Sequence, residues 1–121
     1  MAGCDGSRAT EAEIEDIVSS DFFKLMSEPV RLRLLAFLAA KGPSDVGTVA
    51  AAFPQDRSVI SRHLAQLADG DLVTASKRGR NIVYEFDGRA LLRDLEATTE
   101  RIRALIDANC PDSCDEGAGR S

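Results

Sequence analysis

Tryptophan is absent from this sequence, aromatic residues make up only 5% of it, and histidine occurs once. With few large rings, a core must be filled by Leu, Ile, Val and Ala, a composition that leans helical; the apolar fraction of 44% is enough to pack one. No run approaches the ~18–20 uninterrupted apolar residues of a membrane span. The opening Met1-Ala2-Gly3-Cys4-Asp5-Gly6 also lacks a charged region followed by an apolar stretch. Both absences point to a cytoplasmic protein without a membrane partner. Internal repeats and long linkers are missing too, and 121 residues leave room for one domain but not for a second, catalytic one. The three cysteines avoid the middle of the chain and stand at Cys4, Cys110 and Cys114.

A net charge of −5 argues at first against a nucleic-acid partner, but the charge is unevenly spread. Residues 1–28 carry two cations and seven carboxylates, and residues 87–121 carry five and eight. Residues 57–80 reverse the sign, with Arg57, Arg62, Lys77, Arg78 and Arg80 against Asp69 and Asp71. An acidic body with one basic stripe repels DNA everywhere except at a single docking face.

Apolar residues Ile14, Ile17, Val18, Phe22, Leu25 and Met26 follow the spacing of one helix face and predict a first helix. Ser27-Glu28-Pro29 supplies a capping hydroxyl and a first-turn proline for a buried second helix, Val30 to Ala40. Gly42-Pro43 ends it. Ser44 or Asp45 then caps a short third helix through Phe53, and Pro54-Gln55-Asp56 turns into a fourth, Arg57 to Ala68, which completes a helix-turn-helix. Two short runs, Leu72 to Lys77 and Ile82 to Phe86, with Gly79 between them, read as a hairpin. The last helix, Arg89 to Asn109, carries a seam of Leu91, Leu95, Thr98, Ile102 and Leu105 that needs a partner. The fold class is therefore mainly α with a small β-hairpin, a winged helix-turn-helix of order α-α-α-α-β-β-α, dimerising through its first and last helices. Its parts are a flexible arm (1–10), a DNA-binding and dimerisation domain (11–109) and a cysteine-containing tail (110–121).

On a helical wheel, Ile60, Leu64 and Leu67 of the fourth helix lie opposite Ser58, Arg62 and Gln66, with Ser61 and Ala65 at the edge. Ser, Arg and Gln donate to phosphates or read base edges, and small neighbours allow close approach. An ordinary solvated face would look similar; what favours DNA is the following ribbon tip, Lys77-Arg78-Gly79-Arg80-Asn81, whose three cations have no packing role. The candidate DNA contacts are Arg57, Ser58, Ser61, Arg62, Gln66, Lys77, Arg78 and Arg80. His63 falls at the boundary of the buried side and reads first as a structural imidazole bonded to backbone or to a neighbouring side chain, with a phosphate contact as the alternative.

Three stretches carry a family resemblance: residues 23–35 (FKLMSEPVRLRLL), 58–67 (SVISRHLAQL) and 77–84 (KRGRNIVY). Across roughly residues 14–108 the chain resembles the ArsR/SmtB winged-helix metalloregulators. That resemblance implies a homodimer that binds double-stranded operator DNA without ligand and releases it on binding an inducer. The chain departs from two branches. Its third helix has no cysteine pair of the kind that senses arsenic there, and its last helix has no histidine of the kind that joins aspartate in the zinc, nickel and cobalt sensors.

Cys4, Cys110 and Cys114 remain as candidate ligands. Three thiolates suit a trigonal soft ion, above all As(III) or Sb(III), with Cd, Pb, Hg or Cu(I) as further candidates. Pro111 ends the helix and leaves the C-x-x-x-C in a loop whose sulfurs can converge. The sequence leaves open a second use of the same thiols, a redox or persulfide switch joining Cys110 to Cys114. A thiol enzyme is disfavoured, because neither a C-x-x-C at a strand-to-helix junction nor a second catalytic His is present. The expectation is a repressor, not an enzyme.

Overall fold

The computed structural model describes residues 9–109. These form α1 (Glu11–Val18), α2 (Asp21–Met26), α3 (Pro29–Lys41), β1 (Ser44–Asp45), α4 (Val46–Ala51), α5 (Arg57–Asp69), β2 (Val73–Arg78), β3 (Asn81–Phe86) and α6 (Gly88–Asn109). They divide into two compact units, Asp21–Arg93 and the pair of segments 9–20 and 94–109. Among the described residues no helix is long and apolar enough to cross a membrane.

The larger unit is built on two helices whose apolar residues recur one turn apart. Helix α3 starts with Pro29, whose missing N–H costs nothing in a first turn, and buries Val30, Leu34, Leu35 and Leu38. Helix α5 buries Ile60, Leu64 and Leu67 completely. Val49, Leu72, Val73, Tyr84 and Ala90 close the cluster. Each fully buried Leu contributes roughly 1.5–3 kcal/mol of transfer free energy, so this cluster dominates the stability of the unit.

Helix α5 ends in a Schellman arrangement: the Leu72 N–H donates to the Leu67 carbonyl at 3.0 Å and the Asp71 N–H to the Ala68 carbonyl at 3.0 Å. Asp71 adopts the left-handed conformation this requires, with φ of 65°. The three strands are antiparallel in the order β1-β3-β2. In the hairpin, Val73 pairs with Phe86 and Arg78 with Asn81, which leaves Gly79-Arg80 as a two-residue turn. Gly79 opens it with φ of +63°, as a type II′ turn requires at its first central position. Asp87 then caps α6, its Oδ1 accepting from the Ala90 N–H at 3.1 Å.

In the smaller unit, Thr10 and Glu13 form a capping box at the start of α1. Arg101 on α6 donates to Asp16 on α1 at 2.8 Å. Ile14 and Val18 on α1 are exposed, as are Leu95, Ile102 and Ile106 on α6.

Three local expectations are corrected. The first helix is two helices: the Ser19 N–H and hydroxyl both donate to the Glu15 carbonyl, at 2.9 and 2.6 Å, but the next N–H, of Ser20, turns to the Ile17 carbonyl at 3.2 Å and ends the α-helical pattern. Ser27 does not cap α3; its hydroxyl donates to the Lys24 carbonyl at 2.8 Å and closes α2, and Glu28 is the N-cap without a side-chain bond. The hairpin acquires a third strand, because Ser44 and Asp45 pair with Tyr84 and Val83. Two residues are too short to leave a period-2 pattern in a sequence.

Candidate nucleic-acid interface

Helix α4 is fixed at its start by Asp45, whose Oδ1 accepts from the Thr48 N–H at 2.8 Å. That bond, then the bond to the Thr48 side chain and, more weakly, the charge of Arg57, hold the Asp45 carboxyl below its ordinary value of 3.8, against an opposing desolvation. Gly47 leaves room here: a Cβ on it would lie 3.4 Å from Arg57 Nη1 and 3.7 Å from Asp45 Oδ1. The Arg57 guanidinium therefore lies close to the first turn of α4.

With Ile60, Leu64 and Leu67 turned into the core, α5 exposes Arg57, Ser58, Arg62, Ala65 and Gln66, while Ser61 is half-buried. Lys77 and Arg78 end β2, Arg80 sits in the turn, and all three are exposed. Each candidate DNA contact is thus at the surface of the larger unit, on the helix face or wing where the wheel and hairpin pattern put it.

Arg31, which sequence reasoning passed over inside an apolar helix, turns out to organise one end of that face. Its Nε donates to the Leu25 carbonyl at 2.7 Å and its Nη2 to the Lys24 carbonyl at 2.9 Å. Both carbonyls lie in the last turn of α2, and the Lys24 carbonyl also accepts from Ser27. Its Nη1 donates to Gln66 Oε1 at 2.6 Å and lies 3.5 Å from His63 Nδ1. His63 is half-buried with a side-chain neighbour, in keeping with a structural imidazole. The available signal was a long cation in the first turn of a helix read as buried on nearly all sides.

Cys4, Cys110 and Cys114 lie outside the described residues. Within residues 9–109 no group of three or more His, Cys, Asp or Glu side chains could hold a metal ion.

A helix-turn-helix with a solvent-facing second helix, followed by a cationic β-wing, defines a winged-helix DNA-binding protein. A helix-turn-helix domain profile matches residues 26–74. The chain is 34% identical to a possible transcriptional regulator for arsenical resistance, covering 84% of this chain and 97% of that one with a TM-score of 0.56. It is 35% identical to the AntR antimony-specific transcriptional repressor, over 78% and 84% of the two chains with a TM-score of 0.55. A third similar structure is the homodimeric winged helix-turn-helix DNA-binding domain of a possible ArsR-family regulator from Mycobacterium bovis. There the identity is 27%, the coverage 82% and 89%, and the TM-score 0.56. The chain belongs to the ArsR/SmtB family of winged-helix transcriptional regulators.

Proposed function

We propose that this protein is a homodimeric repressor that grips double-stranded operator DNA with α5 and the β2–β3 wing and lets go when its thiolates capture As(III) or Sb(III). The observation that carries the DNA-binding part is the exposed Ser58/Arg62/Gln66 face of α5, in a unit that also presents Lys77, Arg78 and Arg80 on its wing. Exposed Ile14, Val18, Leu95, Ile102 and Ile106 leave an apolar surface for a second copy of the chain, and the similar Mycobacterium bovis domain is homodimeric. Within the homodimer, Cys4, Cys110 and Cys114 supply soft sulfur ligands in the number that trivalent arsenic and antimony favour. Similarity to regulators associated with arsenical resistance and antimony supports the same inducer class.

The test uses purified, reduced protein in a reductant that does not sequester the ion. Arsenite or antimonite should release a bound operator in a mobility-shift assay, and Cys110→Ser and Cys114→Ser should each abolish release while retaining DNA binding. Absorption spectroscopy at the bound ion should count three sulfur neighbours if Cys4 takes part and two if it does not. Binding must be reciprocal, so operator should weaken ion affinity by the factor by which the ion weakens operator affinity. If reduced protein ignores every soft ion yet drops DNA on oxidation or treatment with a sulfide donor, the thiols form a redox or persulfide switch and the metalloid reading is wrong.

A further inference from the structure

Gln66 stands on the exposed face of α5, and its side-chain oxygen is already engaged. Arg31 Nη1 donates to Gln66 Oε1 at 2.6 Å. The orientation of the carboxamide is chemically forced, because a guanidinium has only donors and must face the oxygen rather than the NH2 group. Arg31 cannot easily turn away to free that oxygen. Its other donors are committed to the Lys24 and Leu25 carbonyls at 2.9 and 2.7 Å, and the side chain is half-buried. A charge-assisted bond to a fork held at three points is stronger and more directional than a neutral bond to a mobile partner.

We infer that Arg31 is a positioning residue that sets what Gln66 reads: it holds Oε1 and turns the Nε2 amino group outward, so that Gln66 meets DNA as a donor and favours guanine over adenine. The inference rests on the proposed docking of α5 in the major groove. A free glutamine pairs with adenine by using both ends of its amide, the oxygen accepting from N6 and the nitrogen donating to N7. Arg31 occupies one lone pair of Oε1 and fixes the rotation of the amide, so adenine N6 must find the second lone pair in a geometry the side chain cannot adjust, which weakens the first of those bonds. Guanine presents two acceptors, N7 and O6, to the two hydrogens of Nε2. Arg31 itself needs no contact with DNA to exert this effect.

The experiment compares base preference, which a purely structural arginine would not alter, across operators varied at the base pairs under α5. Wild type, R31M, Q66M and the double variant are measured side by side, with R62A as a check on the docking itself. Wild type should prefer guanine over adenine at one position by roughly fivefold or more, the range a single good base contact supplies. R31M should shift that preference toward adenine by a similar factor, and should leave base preference unaltered in the Q66M background. A preference that R31M leaves intact, or shifts equally with and without Gln66, overturns the inference while α5 docking stands.

If R62A binds DNA as wild type does, the docking of α5 fails and the inference falls with it. Should R31M not fold, the Gln66 side-chain amide in 15N-labelled wild type decides, identified by its loss in Q66M. Restricted motion of that NH2 group supports a held carboxamide, and the free motion typical of a surface glutamine overturns it.

Discussion

Gly70 packs against Leu25. A Cβ on Gly70 would fall well inside van der Waals contact with Leu25 Cδ2, so the end of α5 and the side of α2 meet across a bare backbone. Its φ of −88° is one that any residue adopts, which makes the requirement steric rather than conformational. Gly70→Ala should therefore cost no more than about 1 kcal/mol, because the half-buried Leu25 side chain can turn to another rotamer to make room. Urea denaturation checks this, and Gly70→Ala combined with Leu25→Ala should recover part of the loss, since the truncated side chain no longer collides.

One residue later the logic reverses. Asp71 occupies the left-handed C′ position of the Schellman turn, where a non-glycine residue is strained by roughly 1–2 kcal/mol. Asp71→Gly should stabilise the protein by about 0.5–1 kcal/mol, the remainder being lost to the greater freedom of glycine in the unfolded chain. A rise in the urea midpoint at constant slope would confirm it; a fall would show that the Asp71 side chain makes a contribution larger than its strain.

Asp45 couples the helix-turn-helix to pH. Its carboxyl pKa is lowered from 3.8 in the folded state, first by the Thr48 backbone N–H. A lowered folded value means stability that is fully present above the unfolded value and lost as pH falls through the folded one. Wild type should lose more stability than Asp45→Asn between about pH 5 and pH 3. Asp45→Ala should be less stable than either at neutral pH, because it removes the cap altogether. Equal acid titrations of wild type and Asp45→Asn would remove Asp45 from the pH response.

The helix face and the wing should fail in different ways when truncated. Arg62→Ala should cost about 1–3 kcal/mol of operator affinity and relax sequence preference, as expected of a base-reading side chain. Arg80→Ala should lower affinity about equally for all duplexes and reduce the salt slope by about one, as expected of a phosphate contact. Binding titrations over a series of salt concentrations separate the two. An unaltered slope in Arg80→Ala would remove the wing turn from the contact surface.

Ile102 and Leu95 are 43% and 46% exposed on α6, a large apolar display for a folded chain in water. Ile102→Glu should convert a dimer to a monomer in sedimentation analysis. Because a monomer grips one half-site only, operator affinity should fall by at least tenfold, while the helical circular dichroism of the larger unit persists. A variant that stays dimeric would place the interface elsewhere.

Much of this protein was legible in its sequence, because helix and hairpin signals are local. The 3.6-residue recurrence of Ile60, Leu64 and Leu67 fixed both the identity of α5 and its outward Ser58/Arg62/Gln66 face, and Gly79 between two β-rich runs fixed the wing with its three cations. Both follow from covalent periodicity and backbone sterics, which act within a few residues.

What tertiary structure alone decided involves partners distant in the chain. Arg31 reaches Gln66 across 35 positions, and Asp45 lies beside Val83 as a strand too short to carry a pattern. Ser27 had the free carbonyls at the end of α2 and the free N–H groups at the start of α3 within reach, and its hydroxyl donated to the former rather than accepting from the latter. The left-handed residue at the end of α5 fell on Asp71 rather than on the adjacent glycine. There the Schellman hydrogen bonds set the turn one residue past Gly70. A sequence displays the residue types that can satisfy a cap, a strained turn or a hydrogen bond; which of them does so is settled by the packing of elements that meet only when the chain has folded.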